Sequence, residues 1–167
     1  MSFARAACAV LAVALVGCSS DPEPEQTTVA AADAFTSIVR WEIDQLEPVI
    51  DDDGNVEAPV IYLASGSGGT IDVRVQADVV AEIGDAAVIR FADDGRDAID
   101  ESLDNEPVKD DGVLIVLDDF QPDAATVEAR IVRYRSIDDD EAWLLEVTVA
   151  GDRTTVKSAS VAAEIPT

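Results

Sequence analysis

Apolar residues fall at Phe35, Ile38, Val39, Ile43 and Leu46, three and four positions apart, and so line one stripe of a helix. Thr27 and Thr28 stand where a cap belongs, and Pro48 stops the pattern. A helix over 29–46 is predicted, with Trp41 at the edge of its stripe. Val60 to Leu63 reads as a short strand, followed by the loop Ser65-Gly66-Ser67-Gly68-Gly69. Residues 70–83 carry two patterns. Ile71, Val73, Val75, Ala77 and Val79 alternate as in a strand, whereas Val73, Ala77, Val80 and Ile83 fit a helix between Asp72 as cap and Gly84 as stop. The helix is the favoured reading, because Ala81-Glu82-Ile83-Gly84 closes like one. Ala87 to Phe91 is a strand. Asp93 to Gly112 is a long acidic connection with a helical turn expected near Ala98–Ser102.

The last third is strongly β-patterned. Val113 to Leu117 is a continuous apolar strand, and Thr126 to Arg135 is long and rich in β-formers. Trp143, Leu145, Val147 and Val149 share one face of a strand. Gly151-Asp152 sits between two β runs as a two-residue hairpin signal, and Thr154 to Val161 is the final strand. Short connections make these four an antiparallel meander, against which the N-terminal helix buries its stripe. The fold class is α+β. A helix first and a curved meander last also resembles the nuclear transport factor two-like cone; that likeness lies in element order and brings no residues or function with it.

The chain's beginning has a different pattern. After Arg5, Ala6 to Val16 run eleven residues without a polar group. That is shorter than the roughly 20 residues a membrane span needs, and it fits the apolar core of a secretory signal. It ends Leu15-Val16-Gly17-Cys18, which resembles the lipobox of bacterial lipoproteins. The resemblance implies that residues 1–17 are removed and that Cys18 becomes the N-terminus, carrying a diacylglycerol and an N-acyl chain. Two or more acyl chains anchor firmly where one binds marginally. Asp21-Pro22-Glu23-Pro24-Glu25-Gln26 follows as an extended, solvated spacer. The expected organisation is therefore a signal over 1–17, a lipidated tether over 18–28 and one α+β domain over 29–165. The expected location is outside the cytoplasm on the cell membrane, or on the outer membrane of a Gram-negative cell.

Composition narrows the chemistry. There are 11 basic and 35 acidic side chains and no His. A charge of −24 repels nucleic acid and anionic headgroups. Cys8 leaves with the signal and Cys18 is lipidated, so the domain has neither thiol nor imidazole. Ser-His-Asp and Cys-His catalysis, His-ligated metals and thiolate zinc sites are excluded. A Ser-Lys dyad would need S-x-x-K, and the nearest match, Thr154 to Lys157, has the wrong nucleophile. A non-catalytic module that binds an envelope protein or a small ligand is the expected function, with no cofactor. Two alternatives stay open: a calcium-dependent module and a carboxylate-based hydrolase.

The candidate sites follow from charge. Arg133 and Arg135 lie on one face of their strand, and Arg130 with Tyr134 on the other. The pair could bind an anion or simply pair with acids across the sheet. Meander topology brings Asp110 and Asp111 to the same sheet end as Asp138, Asp139 and Asp140, where calcium could neutralise converging carboxylates. Asp51-Asp52-Asp53-Gly54-Asn55-Val56 resembles an EF-hand start but has Val56 where Gly is required and Tyr62 at position twelve; a solvated acidic turn is the simpler reading. The Gly66–Gly69 run lacks both the Rossmann spacing and a Walker lysine, which leaves a surface loop.

Overall fold

A computed structural model describes residues 29–50, 53–118, 124–150 and 153–162. The signal, Cys18, the tether, Asp51, Asp52 and the Gly151-Asp152 turn lie outside the described residues.

The fold is α+β: among the described residues, two helices and a six-stranded, mostly antiparallel sheet. Helix α1 spans Ala31–Gln45 and α2 spans Val73–Ile83. A two-stranded ribbon, β1 (Val49–Ile50) and β2 (Val56–Glu57), projects beside them. The main sheet contains β3 (Val60–Ser65), β4 (Val88–Ala92), β5 (Val113–Leu117), β6 (Thr126–Ser136), β7 (Asp139–Ala150) and β8 (Arg153–Val161), in the spatial order β4-β3-β5-β6-β7-β8. The meander β5-β6-β7-β8 is present and antiparallel throughout. Beyond a meander, β3 joins the same sheet parallel to both β4 and β5.

Of residues 70–83, Val73–Ile83 forms a helix, as the second pattern predicts. The Asp72 carboxylate accepts from the Arg74 amide at 2.8 Å, and Gly84 takes a positive φ of 56° just after the last turn. This helix is the crossover that two parallel strands require. Helix α1 begins at Ala31 behind Ala30, whose side chain makes no capping bond. The acidic connection holds two short helical turns, Gly95–Ala98 and Lys109–Asp111; the first lies earlier than the one expected near Ala98–Ser102, because the Asp94 carboxylate accepts from the Arg96 amide and caps it there. Gly54, at φ 85°, turns the ribbon.

The core has two sides. On one, α1 and α2 cover Ile61, Leu63, Ile115, Ile131, Leu145 and Val147. Trp41 meets Trp143 edge to face at 5.3 Å, and Ser37 Oγ reaches the Thr154 carbonyl at 2.9 Å, fastening α1 over the meander. On the other side, the connection between β4 and β5 covers Tyr62, Ala64, Ala92 and Leu114 with Ala98 and Val108. Gly112 closes this connection where a Cβ would stand 2.8 Å from the Val60 carbonyl.

Ile115 is fully buried at the centre of the sheet. Ile115→Ala removes contacts that its neighbours cannot replace and is expected to cost about 3–4 kcal/mol. Urea unfolding checks it; a loss under about 1 kcal/mol would place β5 outside the core.

Candidate functional site

At the end of the sheet where β3 and β5 begin and β6 ends, an open groove encloses about 770 Å³. Its walls come from Ile43 of α1 and Leu46 just after it, Val49 and Val56 of the ribbon, and Val60 and Val113 of the sheet. Glu47, Glu57, Asp85 and Asp111 are exposed and stand around it, and Arg133 and Arg135 also line it. The volume lies within the roughly 300–1,000 Å³ of ordinary ligand pockets.

The arginines reach the groove by strand alternation. Val127, Ala129 and Ile131 face the helices, so Arg133 does too. A register shift between Tyr134 and Ser136 leaves Arg135 as the extra residue of a bulge. Arg133 donates to its cross-strand partner Glu141 at 2.7 Å and lies 3.9 Å from both Asp139 and Glu42. Glu141 also accepts from the Trp143 indole at 3.3 Å. Arg135 lies 3.9 Å from Asp139. The two sequence-predicted residues are thus side by side at the groove, each within reach of acids. Arg130 is on the opposite face, 3.8 Å from Asp118.

Glu42 is the residue that sequence reasoning missed. It is fully buried under α1, and neither carboxylate oxygen has a hydrogen-bond partner among the described residues. Burial pushes its carboxyl above the usual carboxylate range; Arg133 and then Arg135 pull it back, and Glu141 and Asp139 push it up again. A signal existed: Glu42 sits four residues after Ile38 and four before Leu46, inside the apolar stripe.

Two of the five predicted aspartates, Asp110 and Asp139, face cations. Asp110 accepts from the Tyr62 hydroxyl at 2.7 Å and pairs with Arg90, which also donates to Tyr62 at 2.9 Å. Burial, followed by the bond to Asp110, pushes the Tyr62 phenol up. Asp139 faces Arg133 and Arg135, and Asp111 lines the groove. Asp138 and Asp140 are exposed near the β6–β7 turn. Among the described residues no three acids, His or Cys form a group that could hold a metal ion.

No protein-family model, curated protein or solved structure matches this chain.

The buried acid gives the fold a pH signature. A carboxyl raised on folding holds its proton more tightly in the native state, so its contribution is most favourable below the unfolded value and declines as pH rises through the folded value. Glu42→Gln is therefore expected to match the wild type in stability below about pH 4 and to exceed it increasingly toward neutrality. Removing the cation instead, in Arg133→Met, leaves a buried acid short of its nearest charge, a loss of about 3 kcal/mol at neutral pH that Glu42→Gln in the same chain recovers in large part. Urea unfolding across pH reads both; a pH-independent difference for Glu42→Gln refutes the account.

The acidic excess predicts an equal, small rise in melting temperature with magnesium and calcium, from screening alone. A calcium-specific gain near the roughly 2.7 kcal/mol of a site at a hundred times its dissociation constant, several degrees here, would instead mark a calcium site. A thermal melt in chelator, magnesium and calcium decides.

Proposed function

We propose that this chain is a lipid-anchored, extracytoplasmic binding module. The anchor is Cys18, the spacer is residues 19–28 and the binding element is the groove at the sheet end. The observation that carries the binding role is the groove's make-up: apolar walls with charged groups at their margin and, among the described residues, no hydroxyl, thiol, imidazole or amine side chain in its lining. Such a surface holds a ligand by desolvation and charge.

The delivery rests on Leu15-Val16-Gly17-Cys18 at the end of an apolar run of eleven residues and before a spacer rich in Pro and Glu. Display is then the mechanism. Acyl chains fix one end in the membrane, and the like-charged spacer holds the acidic domain away from anionic headgroups.

Cys18→Ser tests the anchor. The wild type is expected in the membrane fraction and labelled by radioactive palmitate; the variant is expected unlabelled and absent from that fraction. Retention of the variant in the membrane refutes the anchor.

A further inference from the structure

We propose that the groove receives an extended, apolar segment of a partner protein that carries Lys or Arg side chains at its ends. This rests on reading the domain as a binding module, and it names the chemistry of the occupant.

Charge selects that chemistry. Arg133 and Arg135 are the cations at the groove: Arg133 is engaged by Glu141 at 2.7 Å, with Asp139 and the buried Glu42 at 3.9 Å, and Arg135 lies 3.9 Å from Asp139. Three carboxylates meet two guanidiniums, so the arginines leave no positive surplus for an incoming anion. Around them Glu47, Glu57, Asp85 and Asp111 are exposed, and among the described residues none of the four has an ion pair. The groove is therefore an apolar slot inside a negative rim, on a chain of net charge −24. A basic partner is steered toward such a surface and an acidic one is turned away.

Shape selects a polypeptide. The apolar surface does not end with the cavity. It continues outward along the ribbon, where Val49, Ile50 and Val56 are 57%, 63% and 70% exposed. Among the described residues the ribbon strands pair with each other and with no third strand, so each keeps an open edge of backbone N–H and C=O groups. An extended segment can pair with such an edge while its alternate side chains enter the slot.

The test uses the full chain in zwitterionic lipid nanodiscs, with empty nanodiscs as blank, and fluorescence anisotropy of labelled hexapeptides. Lys-Leu-Val-Val-Leu-Lys is expected to bind. Glu-Leu-Val-Val-Leu-Glu and Lys-Gly-Ser-Ser-Gly-Lys are each expected to bind at least about tenfold more weakly. Two variants at exposed positions keep the comparison on the folded protein. Neutralising the rim with Glu57→Gln, Asp85→Asn and Asp111→Asn should weaken the first peptide about tenfold and flatten its salt dependence. Val49→Ser with Val56→Ser should weaken it comparably at every salt concentration.

Equal or tighter binding of the acidic peptide would overturn the proposal in favour of an anion site at Arg133 and Arg135. Equal binding of the polar basic peptide would reduce it to charge alone. Binding of dodecylammonium without the peptide would assign the groove to small amphiphiles, and binding of no probe would reject the occupant outright. Each of these leaves the membrane fractionation of Cys18→Ser as it was, so failure of the occupant and failure of the anchor are told apart.

Discussion

A sheet strand with large apolar side chains on both faces must be covered on both, and β3 and β5 impose that constraint here. Ile61, Leu63 and Ile115 point to one side, and Tyr62, Ala64 and Leu114 to the other. Helices α1 and α2 satisfy the first demand. The second is met by the acidic connection between β4 and β5, which contributes little apolar surface beyond Ala98, Ile99 and Val108. That connection is held down largely by polar ties instead. Asp94 and Asp100 cap its turns, Lys109 Nζ reaches the Asp97 carbonyl at 2.6 Å, and Asp110 is bound by Tyr62 and Arg90. The thinner layer lies where the sequence is most acidic, because acids fold there as turns and caps rather than as core.

The same excess of acid shapes the helical side. Covering β6 required α1 to run across Arg133, and the chain placed Glu42 inside the apolar stripe to meet it. Neither charge would be tolerable there alone. With Glu141 and Asp139 completing the group, the arginines become part of the wall of the groove rather than its attraction, and the exposed acids around the opening set its polarity. One ion-pair arrangement thus bears both on how α1 sits and on the charge that the groove presents.

Much of the fold was legible along the chain. The stripe Phe35-Ile38-Val39-Ile43-Leu46 is α1, Asp72 and Gly84 bound α2, and Val113 to Leu117 is β5 residue for residue. The alternation of β6 placed Arg133 and Arg135 together and Tyr134 opposite. The parallel pairing of β3 was harder to read, although continuous apolar runs such as Val113-Leu114-Ile115-Val116-Leu117 are what strands buried on both faces look like. Glu42 was hidden by its charge: a carboxylate is ordinarily assigned to solvent, and its position in the stripe was the only mark against that.

The sequence by itself determined what is set by neighbours in the chain: the periodicities, the caps, the acidic turns, the lack of His and of free thiol in the domain, and the Leu15-Val16-Gly17-Cys18 seam. Tertiary structure alone decided what depends on residues far apart meeting. It brought Glu42 under Arg133, Asp110 to Tyr62 and Arg90, and the ends of α1, β6 and the ribbon around one groove. Those arrangements rest on burial and on charges brought within about 4 Å, where a lowered dielectric makes them matter. No local pattern specifies which distant partner will supply the countercharge.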